Sequence, residues 1–388
     1  MSAAPEDKRT AIKAGDNKAR PVIGIAGGGQ LAQMMLPAAA RLGLDVVVLD
    51  PDPQCSASAQ AQGTVVGAFD SASALAELAA RSDVVTFEIE RIDAAALGEL
   101  ERAGHRVRPA AATLAIIQDK LTQKEFLAGH GVPVGSFSAY AGAPPLPCVW
   151  KARRDGYDGR GVTVLRTTSD VAALPDTPAM IEPLVDIDYE LAILIARDAQ
   201  GKLVHYPLVE IVMDDAAHVM DTVIAPAEVP AAIAARCREI ATIIVEAFGY
   251  IGILAIEFFV DRRGQVLVNE VSPRPHNSGH YTIEACATSQ FEQHLRAVAD
   301  LGLGSAELQQ AAVTFNVLGA AQARGIPHYI GFDRCAEQDG VFVHCYDKPV
   351  VHPGRKMAHV TVLAATRAAA LDKAARIKQA IRVEGSDD

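Results

Sequence analysis

Residues 252–271 read GILAIEFFVDRRGQVLVNEV, two apolar runs on either side of the polar segment DRRG. Runs of this length, rich in Val, Ile and Phe and broken by a cluster containing glycine, predict an antiparallel hairpin. With Arg262 and Arg263 at the turn, Asp261 pairs with Gly264, Glu257 faces Val268 and Glu270 faces Ala255. Glu257 and Glu270 then share one face as diagonal neighbours, with Cβ atoms about 7 Å apart. An unpaired carboxylate is costly inside an apolar strand, so two that converge there predict a shared cation. Mg2+ is the natural partner, because it takes a few carboxylates and completes its shell with phosphate oxygens and water. The pattern points to a magnesium-bound nucleoside triphosphate; the bland alternative is a carboxylate pair on a solvated face.

Upstream, residues 151–162 read KARRDGYDGRGV, with a lysine at the end of the apolar run PCVW and before a glycine-rich loop. Glycines at 156, 159 and 161 allow close backbone approach to phosphate oxygens, while Lys151, Arg153, Arg154 and Arg160 supply positive charge. This suits a lid over phosphates, with Asp158 placed to orient a small polar reactant. A solvated hairpin with a D-G turn is the competing reading. Trp150, the single tryptophan, stands next to Lys151 and is expected to report nucleotide binding by fluorescence.

The chain's early part predicts a parallel α/β sheet. VIGIAGGGQLAQMML at 22–36 runs from an apolar strand through glycines into a helix, and DVVVLD returns as a strand ending at Asp50. Gly27, Gly29 and Ala32 with Asp50 also match a dinucleotide-binding fingerprint, which raises a nicotinamide-dependent oxidoreductase as an alternative. The next strand, DVVTFEIE, places Glu88 and Glu90 at its C-terminal end, where open α/β sheets bind ligands. Glu88 is balanced between site and solvent, and Glu90 is read as solvated. A short strand follows at Arg106–Arg108, and then a helix beginning near Asp119.

The 388 residues carry a net charge of −11, are 50% hydrophobic and include six cysteines without a C-x-x-C pair. The acidic balance excludes a general nucleic-acid surface, which needs a basic footprint. The spaced cysteines read as reduced packing residues. No membrane span or signal-peptide core is legible, so a cytoplasmic protein is expected. Residues 1–20 are expected to be a disordered tail, and the terminal EGSDD to fray.

Three separated motifs, GYDGRG at 156–161, NEVSPRPHNSGHYTIEA at 269–285 and YDKPVVHPGRKM at 346–357, closely resemble the 5-(carboxyamino)imidazole ribonucleotide synthases, ATP-grasp enzymes of purine biosynthesis. The resemblance runs from about Pro21 to the last helix. It implies an α/β and α+β protein: a Rossmann-like pre-ATP-grasp domain at 21–118, an ATP-grasp domain at 119–305 with a lid at about 143–190, and a small β-rich C-terminal domain with a terminal helix at 306–388. It also implies a homodimer, and ATP, bicarbonate and 5-aminoimidazole ribonucleotide as substrates, with carboxyphosphate as intermediate.

Carried over by motif, ATP would meet Lys120, Lys151 and the loop Gly156, Tyr157, Asp158, Gly159, Arg160, Gly161 and Val162. Glu182, Pro183, Leu184 and Val185 would form the adenine edge and hinge, Glu190 would hold the ribose, and Asn269 would lie beside Glu270. Glu257 and Glu270 would hold Mg2+, and Lys151, Asp158 and Arg160 would serve the chemistry. The ribonucleotide phosphate would sit near Gln30 and Leu31 with Lys348 and Arg355 closing over it, and Glu88, Arg274, His276, Asn277 and Ser278 would line its imidazole and ribose. Two departures stand out: Asp155 where relatives usually have a glycine, and Ile211 and Met213 where the family often has Asn and His. A formate-dependent glycinamide ribonucleotide transformylase, with a similar SPRPH segment, and a noncatalytic nucleotide sensor are the remaining alternatives.

Overall fold

The computed structural model describes residues 20–156, 161–214 and 219–386. The expected N-terminal tail and the calls on Tyr157, Asp158, Gly159 and Arg160 lie outside the described residues.

Strands Val22–Ala26, Asp45–Asp50, Gly63–Val66 and Val84–Phe87 form a parallel sheet in which Val22–Ala26 lies between Asp45–Asp50 and Val84–Phe87. Their uninterrupted apolar runs fit a sheet covered on both faces. Ile23, Ile25, Val46 and Val48 pack against Leu31 and Met35 of helix Gln30–Leu42, and Val47, Leu49 and Val85 against Leu75, Leu78 and Leu97. The strand expected at Arg106–Arg108 is a single parallel bridge from Val107 to Val85; Pro109, which has no N–H to donate, follows at once.

The lid is an antiparallel sheet of Ser138–Ala139, Ala179–Pro183, Cys148–Ala152 and Val162–Leu165, in that order. Along Cys148–Ala152 the two-residue period sends Cys148, Trp150 and Ala152 into the lid's own core, and Val149 and Lys151 toward the cleft. Trp150 therefore faces away from the cleft, and its fluorescence reports lid packing rather than direct contact with a nucleotide.

A nine-stranded sheet forms the base, and Ala311–Leu318 pairs with Val219–Ala225, so this sheet is continuous across residues 305/306 into the C-terminal strands. Helix Ala231–Ala247 covers one face of its ATP-grasp part through Cys237, Ile240 and Ile244. Of the terminal EGSDD expected to fray, Glu384, Gly385 and Ser386 are in a strand, and the last two residues lie outside the described residues. Arg382–Ser386 pairs with Ile326–Ile330, anchored by the fully buried Val383 and by a 2.7 Å contact between His328 Nε2 and Ser386 Oγ.

The hairpin forms, but in a different register. Glu257 faces Glu270 directly and Ala255 faces Ser272, while Phe258 faces Val268. Two local features shift the pairing. The Asp261 carboxylate accepts from the N–H groups of Arg263 and Gln265, which lengthens the turn, and Asn269 is the extra residue of a β-bulge. The two glutamates thus stand closer than the diagonal reading had them.

Candidate active site

Lid and base enclose a cleft of about 1090 Å³. Lys151, Val162, Glu182, Pro183, Leu184 and Val185 reach it from the lid side. From the base come Glu190, Glu257, Asn269 and Glu270, and Gly156 also lines it. Helix Lys120–Gly129 contributes Lys120 and Lys124, which share one face because they are four residues apart. That helix is capped by Asp119, which accepts from the N–H groups of Leu121 and Thr122 and also holds Arg153 of the lid loop through two guanidinium nitrogens.

The cleft is a network of buried opposite charges. Glu182 spans two lysines, 2.7 Å from Lys124 Nζ and 2.5 Å from Lys151 Nζ. Burial raises the Glu182 carboxyl, but Lys151 and Lys124 outweigh it and leave the group below its ordinary value. Lys124 is pushed down to about 8 by burial, with the Lys151 charge adding to the effect against the pull of Glu182. Its ammonium also donates to the carbonyls of Val134 and Val268 at 3.2 and 2.9 Å. Lys151 donates to Asn269 Oδ1 at 3.0 Å, which gives the bulged residue a role in joining lid to base.

Lys120 pairs with Glu270, whose carboxyl stays below its ordinary value because that ammonium outweighs burial. Glu257 pairs with no ammonium this closely among the described residues, and the pull of Lys120 on it is outweighed. Burial, with Glu270 and Glu190 nearby, drives it well above the usual carboxylate range. His276 Nδ1 accepts from the Ser278 N–H, so Nε2 carries the ring proton and lies 3.6 Å from Glu257 Oε1. Two hard carboxylates opposed across one ladder, one of them destabilised in its charged form, fit a small divalent cation completed by phosphate and water.

A second group of residues meets at the C-terminal edge of the first sheet. Glu88 is buried and accepts from Gly29 N–H at 2.8 Å, Leu31 N–H at 3.1 Å and Ala32 N–H at 3.4 Å. Burial pushes its carboxyl up to about 7 despite those donors. The N–H of Leu31, expected to favour a phosphate, meets a carboxylate of the chain. The glycines of the fingerprint also have a local cause: a Cβ on Gly27 would lie 2.6 Å from Glu88 Cγ, and one on Gly29 2.7 Å from Glu88 Oε1. Asp50 accepts from the Gly28 N–H at 2.9 Å, which fixes this turn instead of leaving the carboxylate for a ribose.

Glu90 is not the solvated residue expected. It lies 2.8 Å from Arg274 Nη2 and ties the first sheet to the Pro273–Gly279 loop. On that loop His276 and Asn277 line the cleft, whereas Ser278 is fully buried with its hydroxyl 2.9 Å from His276 Nδ1, orienting the ring. Lys348 and Arg355 lie on the turn between strands Val341–Cys345 and Lys356–Ala364. Lys348 Nζ donates to Lys356 O at 2.7 Å, and Arg355 to Val350 O at 2.6 Å. Gln33 Nε2 reaches Asp347 at 3.2 Å, which brings this turn against the helix that starts at Gln30.

Comparison with known proteins matches three domain families along the chain: the ribonucleotide synthetase preATP-grasp domain over residues 21–118, the ATP-grasp domain over 136–291 and the phosphoribosylaminoimidazole carboxylase C-terminal domain over 312–373. The N5-carboxyaminoimidazole ribonucleotide synthase of Synechococcus elongatus is 40% identical over 358 residues, covering 88% of this chain and 89% of that protein. The crystal structure of the N5-carboxyaminoimidazole ribonucleotide synthetase of Thermotoga maritima superposes with a TM-score of 0.87 at 41% identity, covering 94% of this chain and all of that one. The chain belongs to the N5-carboxyaminoimidazole ribonucleotide synthase family. A further family structure, from Aspergillus clavatus and in complex with ADP and 5-aminoimidazole ribonucleotide, has a TM-score of 0.84 at 32% identity, covering 93% and 98% of the two chains.

As a member of this synthase family the protein is an ATP-dependent ligase, which sets aside the oxidoreductase and transformylase readings. The synthase fold also shows what the sequence reading missed. Lys124 and Lys356 both line the cleft and both are buried. The i, i+4 spacing of Lys120 and Lys124 was the available signal for the first. For Lys356 no periodic signal existed, because its position depends on pairing between distant strands. Met213 lies opposite Met220 and both line the cleft, where they present an apolar thioether surface.

Proposed function

We propose that the protein carboxylates 5-aminoimidazole ribonucleotide with ATP and bicarbonate, giving 5-carboxyaminoimidazole ribonucleotide, ADP and phosphate, in cytoplasmic purine biosynthesis. The observation that carries this reading is the convergence of Lys120, Lys124, Lys151, Glu257 and Glu270 on one cleft, with His276 at its edge. Membership in a family with a structure holding ADP and 5-aminoimidazole ribonucleotide supports it.

In this reading ATP lies between lid and base. The Glu182 carboxylate is already engaged by two lysines, so the adenine edge falls to the strand end Pro183–Val185, and Glu190 holds the ribose. Glu257 and Glu270 would hold Mg2+, which when bound offsets phosphate charge. Bicarbonate oxygen attacks the γ-phosphorus, the bond to the β-phosphate oxygen breaks, and carboxyphosphate and ADP result. Lys120 and Lys151 offset the charge that spreads over the transferring group, with Arg160 and Asp158 of the glycine loop completing the enclosure. The exocyclic amine then attacks the carboxyl carbon, phosphate leaves and the nitrogen loses a proton. Water destroys carboxyphosphate, so closure of the lid protects it. Arg274, His276 and Asn277 line the path toward Glu88, and Lys348 and Arg355 meet the ribonucleotide phosphate. The active species is a homodimer.

ADP release and carboxylated product are measured with Mg2+ and ATP, adding 5-aminoimidazole ribonucleotide and bicarbonate separately and together. Equal yields of both products, only in the complete mixture, are expected. Turnover that instead requires formate and glycinamide ribonucleotide would leave the fold standing and overturn the substrate.

A further inference from the structure

Away from the cleft, three imidazoles form a column in the interior. His344 and His359 are cross-strand partners with ring centroids 4.5 Å apart and planes 12° from parallel. His280, which follows the Asn277–Gly279 turn, stacks on His359 at 4.5 Å and 29°. His280 and His359 have at most 1% of their surface exposed. Burial and the adjacent imidazoles hold both well below the ordinary histidine value, so the column is neutral at its centre.

Each ring is tied to a different functional element. Gln290 Nε2 donates to His280 Nδ1 at 3.2 Å and to His276 O at 2.8 Å, while its Oε1 accepts from the His276 N–H, joining the column to the loop of His276. His344 Nε2 is 2.7 Å from Glu284 of the short helix Thr282–Ala285. His359 Nδ1 meets the Tyr346 hydroxyl at 2.9 Å, and Lys348 Nζ stands 5.3 Å from the centroid of the Tyr346 ring. Tyr346 is buried and its carbonyl accepts from Ser56 Oγ of the first domain at 3.2 Å. Asp347, between Tyr346 and Lys348, has φ +48°, a left-handed conformation that non-glycine residues rarely adopt. Such strain persists where neighbours over-determine the backbone. Here Tyr346 is held on one side of Asp347 by Ser56 and His359, and the Asp347 carboxylate accepts from Gln33.

We infer that Tyr346 and His359 are positioning residues for Lys348: the buried Tyr346–His359 hydrogen bond fixes the aromatic face over which the Lys348 ammonium rests, aiming it at the ribonucleotide phosphate. This rests on Lys348 being the phosphate contact proposed above. The column extends the same support to the His276 loop, so the two elements that receive the second substrate share one rigid mount.

The test compares Lys348→Ala, Tyr346→Phe, His359→Leu, His359→Asn and the Tyr346→Phe/His359→Leu pair for KM of each substrate, kcat and Tm. Tyr346→Phe and His359→Leu each raise the ribonucleotide KM about fivefold and leave the ATP KM unchanged. The pair is no worse than the stronger single change, and Asn at 359, which keeps a polar atom near the Nδ1 position, restores most of the loss. If Lys348→Ala raises the ribonucleotide KM but Tyr346→Phe does not, the positioning role is wrong and the phosphate assignment survives. A Lys348→Ala enzyme with normal ribonucleotide KM removes the assignment itself. Equal losses for both substrates from Tyr346→Phe, tracking Tm, make the bond merely structural. Because Tyr346→Phe deletes only a hydroxyl, the comparison holds even where His359→Leu fails to fold.

Discussion

At the residue scale, Lys124 shows how a buried charge is held by several partners. It is 4% exposed, faces Glu182 and two carbonyls, and its removal leaves Glu182 with Lys151 alone. Breaking such a pair from one side costs about 3–5 kcal/mol, so urea unfolding of Lys124→Met shows a loss of that order; a loss indistinguishable from zero would mean Glu182 is satisfied without it. Glu88 gives a pH signature. Its carboxyl titrates near 7 in the folded chain and near 4.5 when unfolded. Between those values the folded state keeps a proton that the unfolded state has released, so this contribution is full below 4.5 and is lost as pH rises through 7. Stability of the native chain relative to Glu88→Gln therefore declines from pH 4.5 to 7. A constant difference across that window would contradict the assignment.

At the element scale, Asp119 does two jobs that can be separated. Asp119→Ala removes the cap of the helix bearing Lys120 and Lys124 and the tether to Arg153, and costs about 1–2 kcal/mol. Asp119→Asn keeps a capping oxygen and loses only the ion pair. Stability is expected to follow the cap, and proteolysis at Arg153 and Arg154 to follow the tether; identical behaviour of the two variants would refute that division. Asp155 has φ +60°, a conformation that glycine adopts more readily. Asp155→Gly is expected to relieve backbone strain of about 1 kcal/mol, offset in part by the freedom gained in the unfolded chain; a clear loss of stability would show that the exposed contact to Arg91, at 3.7 Å, matters more. The sequence made these elements legible to different degrees. Strand alternation placed Glu257 and Glu270 on one face, because period 2 survives most errors of detail. The bulge at Asn269 and the five-residue turn escaped, since both depend on side-chain hydrogen bonds that leave no periodic trace. The glycines at 27 and 29 suggested an anion; that the anion is Glu88, 59 residues beyond Gly29, follows only from strand order. The expectation for Lys348 came from the synthase motifs and not from spacing.

At the scale of the whole molecule, helix Gln290–Val298 joins the first sheet to the base sheet. Phe291, Leu295 and Val298 enter the core of the first sheet, while His294 lies between that sheet and the base. Its Nδ1 accepts from the Ile253 N–H at 3.2 Å, so Nε2 carries the proton and donates to Thr86 Oγ1 at 2.7 Å. Thr86 is two residues from Glu88, and Ile253 is on the strand that carries Glu257, so one neutral ring bridges the sheet of Glu88 and the strand of Glu257. Burial drives this imidazole down to about 3 from 6.5. Here the unfolded state binds the proton first, so the stabilisation is full above 6.5 and is lost as pH falls toward 3. Protonation also removes the acceptor of the Ile253 N–H. The protection factor of that amide and the urea midpoint should therefore fall together between pH 6.5 and 4, and the slope should flatten in His294→Gln. An Ile253 amide that stays fully protected while the midpoint falls would place the acid-sensitive group elsewhere.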